Sequence, residues 1–389
     1  MIRWRRVCAS LLLFLPVLSS AQQSPAPATG STPPQAAPSP TPALPLPGDP
    51  VLSIRPVPKP PRLAGMVAAD GRIKLDVLVT DAAGKPALGL DPWDFKILDD
   101  NQPRKILSFR SFDGVAAKPD PPVEVILLLD MMNLPFQQVS FVRGEVDEFL
   151  RRNGGRLPQP VSIIVLNDAG IRVQPRPSVD GNALTEIVDQ IKGSISSINP
   201  AMGASGDLLR LQRSVHQLAN IAENEVKKPG RKLLIWVGPG WPTLNGAEVT
   251  FSEREQQRRF DAIVELSTKL REARITVYSV SAANAALGAG ADRRFLYQDF
   301  LKGVKTPRQA DFGYLSLKVL VTQSGGRILG PDNDLAGQID RCIAEGNAFY
   351  TLSFDPPQAE HPDEYHELKV QVSQPGLTAR TKTGYYNQP

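Results

Sequence analysis

The sequence predicts an α/β protein in which a doubly wound, mostly parallel sheet is inserted between the two halves of a β-sandwich. Three observations support this fold class. Continuous apolar runs alternate with amphipathic stretches in the middle of the chain, as in a parallel sheet that helices cover on both faces. Alternating apolar and polar residues at the two ends indicate amphipathic strands. A proline-rich segment precedes the first of them and separates the fold from the N-terminus.

The N-terminus has the pattern of a cleaved secretory signal. Three arginines precede an apolar stretch from Ala9 to Leu18, and Ser19-Ser20-Ala21 supplies the small residues of a cleavage site. We therefore expect residues 1–21 to be removed and the protein to be secreted or periplasmic. A retained anchor is the weaker alternative, because the apolar stretch is shorter than the roughly 20 residues that a membrane span needs. No later segment has the length and apolar character of a span, so we expect no transmembrane segment after cleavage.

The basic charge of the chain belongs mainly to this signal. The whole chain has 44 Lys+Arg against 40 Asp+Glu, and without the three signal arginines the balance is 41 against 40. This balance gives no support for nucleic-acid binding. Cys8 also leaves with the signal, so Cys342 has no partner for an internal disulfide. Apolar neighbours at helical spacing predict that Cys342 is a buried thiol.

Residues 22–62 contain fourteen prolines and are predicted to form a disordered linker. Two interpretations remain open for this segment. It is either an extended spacer across a cell-wall or periplasmic gap, or a low-complexity tail without a role.

Residues 63–115 and 347–389 are predicted to be the two parts of one Ig-like β-sandwich. Neither part has enough strands to bury both faces alone, so we expect them to pair. The predicted strands are 73–80, 93–98 and 105–112 in the first part, and 349–354, 365–372 and 377–382 in the second.

Residues 120–346 are predicted to form the inserted α/β domain. The predicted strands are 123–129, 161–166, 232–237, 275–280 and a short one near 327–329. Amphipathic helices are expected where apolar residues recur at helical spacing, at 139–150, 208–218 and 260–270. Residues 285–313 break this alternation and are expected to form a partly helical surface insertion.

Several short segments occur in a distinctive order between residues 70 and 386. They are Val77–Asp81, Gly84-Lys85-Pro86, Leu90, Asp94-Phe95, Asp99-Asp100, the strand ending in Asp130, Gly230-Arg231-Lys232 leading into Leu233–Val237, Tyr350–Phe354 and Gly384-Tyr385-Tyr386. In this order the chain resembles a von Willebrand factor A domain and, more closely, the bacterial secreted VWFA-related family. The resemblance implies an A-type sheet with a metal-ion-dependent adhesion site at the carboxyl ends of its strands.

In that family the site holds Mg²⁺ with Asp-x-Ser-x-Ser, a Thr and a second Asp, because Mg²⁺ prefers oxygen ligands. Asp130 matches the first Asp, but Met132 and Leu134 occupy the two Ser positions and Pro239 stands where the second Asp is expected. The loop that should supply the Thr offers Ser205. Thioether and alkyl groups do not ligate Mg²⁺, so the resemblance implies a degenerate site without metal or cofactor.

The role of Asp130 has two interpretations. It either caps the following helix or accepts N–H groups of adjacent loops, or it contacts a ligand directly. Trp241, just past a central strand, also has two: it anchors a partner protein at the rim of the sheet, or it packs over the insertion at 285–313. Met131, Met132, Leu134 and Phe136 correspondingly form an apolar recognition patch or the floor beneath that insertion.

Catalytic motifs are missing from the sequence. There is no Gly-x-Ser-x-Gly elbow and no P-loop. His361 and His366, near Glu364 and Glu367, are predicted to belong to a solvated turn rather than a metal cluster. His216 is predicted to be an ordinary helix residue. We therefore predict that the protein is not an enzyme.

The function predicted from these observations is that of a secreted, non-enzymatic interaction or adhesion-like module. We expect it to bind an unknown protein ligand, at the cell envelope or outside the cell, through loops 130–136, 203–207 and 238–242. The alternatives are a Mg²⁺-dependent adhesin that uses Asp130 and a structural component of the cell envelope. An extracytoplasmic hydrolase would need a polar cleft for which the sequence offers no residues.

Overall fold

A computed structural model describes residues 71–174, 176–191, 202–244, 252–282 and 296–389. The predicted signal peptide and linker lie outside these residues, as do residues 285–295 of the predicted insertion. The remainder of that insertion contains short 3-10 helices, at Tyr297–Phe300, Pro307–Gln309 and Phe312–Leu315. Within the described ranges, no helix has the length and apolar character needed to cross a membrane.

The strands and helices are numbered in chain order. The strands are β1 (Ile73–Thr80), β2 (Phe95–Asp99), β3 (Gln102–Arg104), β4 (Ser108–Phe112), β5 (Glu124–Asp130), β6 (Arg156–Asn167), β7 (Gly170–Val173), β8 (Ser178–Asp180), β9 (Lys232–Val237), β10 (Ile275–Val280), β11 (Ile328–Leu329), β12 (Phe349–Phe354), β13 (Glu364–Val372), β14 (Thr378–Arg380) and β15 (Gly384–Asn387). The α-helices are α1 (Val139–Arg151), α2 (Gly181–Asp189), α3 (Gly203–Val226), α4 (Glu253–Glu272), α5 (Leu317–Gln323) and α6 (Leu335–Ala344).

The middle of the chain forms a seven-stranded, mostly parallel sheet. Its strand order is β11-β10-β9-β5-β6-β7, and β8 also pairs with β6. Only β7 and β8 run antiparallel to their neighbour β6. Side chains of β5 alternate between two cores, one shared with α1, α2 and α6 and the other with α3, α4 and α5. Burial on both faces explains why the strand is apolar at five consecutive positions.

The two ends of the chain form two four-stranded antiparallel sheets. Their strand orders are β14-β1-β12-β4 and β15-β13-β2-β3, so each sheet contains strands from both ends of the sequence. Leu75 of β1 pairs with Leu352 of β12, and Ile97 of β2 pairs with Val370 of β13. These side chains share one apolar core. The α/β class, the mostly parallel sheet and the antiparallel pairing of the two ends agree with the sequence prediction.

Several short elements differ from the sequence prediction. The strand expected at 93–98 begins only at Phe95, because Pro92–Asp94 forms a 3-10 turn. The strand expected at 105–112 is shorter, since β4 covers only Ser108–Phe112, and β3 at Gln102–Arg104 was not predicted. The elements β7, β8, β15 and α2 were not predicted as such, since each is too short to show a clear periodicity.

Two charged contacts join the antiparallel sheets to the parallel one. Arg274, which precedes β10, donates through Nε and Nη2 to the carboxylate of Asp76 on β1. Arg380 on β14 donates to Glu345 Oε2, which also accepts from Tyr278 on β10. Burial alone would raise the pKa of Asp76, but the charges of Arg274 and Arg231 outweigh it and lower that pKa below 3.8. The ionised carboxylate is therefore part of the junction.

Replacing Asp76 by Asn should lower the free energy of unfolding by about 2 kcal/mol at neutral pH, because a charge-assisted contact of Arg274 is lost. The folded-state pKa of Asp76 lies below its unfolded value, so this stability is present above about pH 4 and is lost as the pH falls through the folded-state pKa. Urea titrations at several pH values measure the difference between Asp76→Asn and wild type. Asp355→Asn, which removes the exposed pair with Arg72, is the matched control and should change little.

Candidate functional site

Ligands of open α/β sheets bind where the carboxyl ends of the parallel strands meet, here called the carboxyl edge, made of the residues that follow β5, β6, β9 and β10. Asp130, the last residue of β5, lies at this edge beside Leu166 of β6. The chain after β9 turns there too, since Gly238 N–H donates to the carbonyl of Val280. The loops that follow β5 and β9 therefore both lie at this edge.

Donors of neighbouring residues surround the fully buried carboxylate of Asp130. Its Oδ1 accepts from the backbone N–H of Asn133 at 3.0 Å and from Asn133 Nδ2 at 3.0 Å. Its Oδ2 accepts from Asn133 Nδ2 at 2.9 Å and from the indole Nε1 of Trp236 at 2.9 Å. Asn133 Nδ2 also lies 3.2 Å from Ser214 Oγ on α3. Asp130 therefore joins β5, its own loop and β9, and Asn133 connects this group to α3.

Burial raises the pKa of Asp130 from 3.8 to about 6, although the hydrogen bonds from Asn133 and Trp236 act in the opposite direction. Gly238 contributes to the enclosure. It has φ +141°, and a Cβ at this position would come within 3.0 Å of the Cβ of Asp130. A glycine there lets the loop after β9 lie directly against the aspartate.

This geometry favours the structural role of Asp130 over the ligand role. A cation that bound Asp130 would have to displace Asn133 or Trp236, and it would find a thioether and an alkyl group at positions 132 and 134. The displaced indole N–H would then lose its partner in a buried environment, which costs about 1–3 kcal/mol.

Trp241 is buried, with 4% of its surface exposed. Its Nε1 donates to the carbonyl of Leu315 at 2.9 Å, and its ring packs edge-on against Trp236 at a centroid distance of 5.0 Å. The interpretation of Trp241 as an exposed anchor at the rim is therefore wrong. The packing interpretation agrees with the structure, although the contacted residue lies just beyond the predicted insertion.

The methionines and Leu134 do not form one surface patch. Met132 packs with Trp241 in the core on the side of α3, α4 and α5, whereas Met131 and Leu134 belong to the opposite core. All three side chains are buried, so the recognition patch expected from them is not present. Pro239 is half-buried at the edge, and Ser205 is exposed in the first turn of α3.

Two exposed apolar side chains lie at the carboxyl edge instead. Phe136, in the 3-10 turn before α1, is 53% exposed, and Met202, directly before α3, is 46% exposed. Both helices begin at this edge because they run antiparallel to the strands that they connect. The sequence pattern did not distinguish Phe136 from the other apolar residues of its loop, and no pattern pointed to Met202.

Asn133, Ser214 and Trp236 were also missed as partners of Asp130. A signal for Trp236 was available, since a tryptophan inside a fully buried strand needs an acceptor for its indole N–H. An Asn three residues after a buried Asp is a weaker signal, because such short-range contacts depend on the turn that follows the strand.

The histidines differ in their surroundings. His361 is exposed, as predicted for a solvated turn, but His366 is buried on β13, so the prediction for His366 is wrong. Among the described residues, Asp99, Asp100 and His366 form a group whose candidate metal-ligand atoms lie within 4.8 Å of one another. Cys342 is buried as predicted, and burial raises the pKa of its thiol.

No protein-family model and no curated protein matches the chain. Weak structural neighbours include the pilus adhesin SpaC from Lactobacillus rhamnosus GG in its open conformation, at 11% identity and TM-score 0.34 over 79% of this chain and 49% of the adhesin. The SpRpn10 VWA domain matches at 9% identity and TM-score 0.24, over 56% of this chain and 94% of that domain. Proximal thread matrix protein 1 from the mussel byssus matches at 12% identity and TM-score 0.30, over 58% of this chain and 48% of the mussel protein.

The chain thus spans about half the length of the adhesin and of the mussel protein. Likenesses at such TM-scores carry no argument about function. The architecture described above rests on the strand registers of the chain itself.

Asp130→Asn should remove one pH-dependent component of stability. The pKa of Asp130 is about 6 in the folded protein, against an ordinary value of 3.8, so the folded state binds the proton more tightly. The free energy of unfolding of wild type should therefore fall, relative to Asp130→Asn, by on the order of 3 kcal/mol as the pH rises from about 4 to about 6.

Urea unfolding followed by tryptophan fluorescence at successive pH values measures this difference. Asp299→Asn, at an exposed position, is the control and should keep the wild-type pH profile. Parallel pH profiles of wild type and Asp130→Asn would contradict a buried, proton-binding Asp130.

Proposed function

We propose that the protein is an exported, non-enzymatic interaction module with an A-type α/β domain inserted in an Ig-like β-sandwich. The observation that carries this proposal is the state of the carboxyl edge. Its aspartate is enclosed by internal donors, while Phe136 and Met202 present apolar surface to solvent at the same edge. Exposed apolar side chains on such loops favour contact with a protein partner over capture of a small polar ligand.

The proposed recognition surface differs from the one expected from the sequence. Loops 130–136 and 203–207 remain part of it, but Phe136 and Met202 replace Met132, Leu134 and Trp241 as the contacting side chains. Beneath the loop after β5, Asn133 joins that loop to Ser214 in the middle of α3. A rigid support lowers the entropy that a contacting side chain loses on binding.

The size of two cavities supports a non-enzymatic role. They lie among the described residues and have volumes of about 30 and 180 Å³. Small-molecule sites enclose roughly 300–1,000 Å³. The larger of the two is lined mainly by the loop after β6 together with Arg213 and Gln217, and no nucleophile and base face each other there.

A photo-crosslinking amino acid at position 136 tests the proposed surface. In the native cell envelope it should give a discrete protein adduct, because Phe136 would contact the partner directly. Position 179 is the matched control: Val179 is also 53% exposed, but it lies on β8, which pairs with the opposite end of β6. Substituting Met202 by Glu should reduce the adduct at position 136 at least tenfold.

Equal adducts at positions 136 and 179, or none at 136, would contradict recognition through the carboxyl edge. A different result would favour the Mg²⁺-dependent adhesin. In that case chelation of divalent cations would abolish the adduct at 136, and Asp130→Ala would remove it as well. No adduct at either position would favour the structural envelope component.

A further inference from the structure

A second polar group lies at the end of β2, in the antiparallel part of the molecule. Asp99 is the last residue of β2, and Asp100 begins the turn to β3 with φ 48°. His366 lies on the neighbouring strand β13, where Leu368 pairs with Asp99. The register therefore brings two carboxylates and one imidazole together from positions 267 residues apart.

Each carboxylate of this group has one oxygen held by donors and the other directed at the imidazole. Asp99 Oδ2 accepts from Arg104 Nε at 3.2 Å and from the hydroxyl of Tyr385 at 3.0 Å, while its Oδ1 lies 3.0 Å from His366 Nδ1. Asp100 Oδ1 accepts from the backbone N–H of Glu367 at 3.0 Å, while its Oδ2 lies 3.3 Å from His366 Nδ1.

The imidazole is itself held in place. Its side chain is 7% exposed, and its ring stacks on Tyr385 at a centroid distance of 5.1 Å and an interplanar angle of 17°. The other ring nitrogen, Nε2, is buried and has no hydrogen-bond partner. Glu364 Oε1 lies 3.9 Å from it, beyond hydrogen-bond distance. A buried nitrogen left in this state is costly, and it calls for an explanation.

We propose that Asp99, Asp100 and His366 bind a divalent transition-metal ion such as Zn²⁺ or Mn²⁺. Ligand atoms at about 2.0–2.2 Å from such an ion are separated by about 3.0 to 3.4 Å from one another. The separations of 3.0 and 3.3 Å from Nδ1 to the two carboxylate oxygens match this range. An imidazole combined with carboxylates suits Zn²⁺ or Mn²⁺ better than Mg²⁺.

Metal binding also accounts for the unpartnered nitrogen. An ion on Nδ1 fixes the ring proton on Nε2, and this N–H faces Glu364 Oε1. A small rotation of Glu364 completes the carboxylate–histidine–metal arrangement that commonly orients histidine ligands. Arg104 and Tyr385 hold Asp99 in the same manner. Asp100 is 43% exposed, which gives the ion a route from solvent and leaves coordination positions for water.

Calorimetry of the metal-stripped, purified protein with Zn²⁺ and then Mn²⁺ tests this proposal. We expect one equivalent of Zn²⁺ to bind with a micromolar or lower Kd, and Asp100→Asn to weaken it at least tenfold. The matched control is Asp363→Asn, because Asp363 is also an aspartate at positive φ near a turn, and asparagine tolerates that conformation at both positions. His361→Gln removes the exposed histidine and should also leave binding unchanged.

A second readout does not depend on the folding of a variant. In long-range proton–nitrogen NMR of wild type, Zn²⁺ should shift the Nδ1 resonance of His366 and leave the proton on Nε2. Zn²⁺ binding that survives Asp100→Asn, that disappears in His361→Gln, or that shifts only His361 would overturn the proposal. So would the lack of a stoichiometric site for either ion.

Discussion

The carboxyl edge of the parallel sheet depends on one constraint, the enclosure of the carboxylate of Asp130. Asp130 has no access to water, so its oxygens need donors from the protein. Asn133 and Trp236 supply them, and Gly238 leaves room for the loop that covers the group. The chain after β5, the strand β9 and, through Ser214, the helix α3 are therefore arranged around one side chain. Removing the Asp130 carboxylate would disturb all three elements together.

This constraint also limits the functions open to the carboxyl edge. A residue that holds three elements together by its hydrogen bonds is poorly placed to exchange those bonds for an incoming cation. Burial of Met132 and Trp241 beside it removes two further side chains from contact with a partner. The edge also presents apolar surface to solvent at Phe136, in the turn before α1, and at Met202, directly before α3. A buried histidine that faces two carboxylates lies elsewhere, around Asp99.

Much of the fold could be predicted because the spacing of apolar residues along the chain reflects which side chains are buried. The apolar run of β5 reflects two covered faces, and the pairing of the chain ends follows from strand groups too small to fold alone. The prediction for His366 was wrong although a signal existed: His366, Leu368 and Val370 are buried at alternate positions of β13, as in a half-buried strand. The burial of Trp241 could not be predicted, since its acceptor, the carbonyl of Leu315, is 74 residues away. The same holds for the meeting of Asp99 with His366.

The most direct test of the enclosed carboxylate is hydrogen exchange at the indole N–H of Trp236, followed by NMR in D₂O with and without Mg²⁺. This proton should exchange only through global unfolding, because it is buried and bonded to Asp130 Oδ2. Its exchange rate and chemical shift should be unchanged by Mg²⁺. Exchange through local opening, far faster than global unfolding permits, or a shift of the indole resonance on adding Mg²⁺ would contradict the structural role assigned to Asp130.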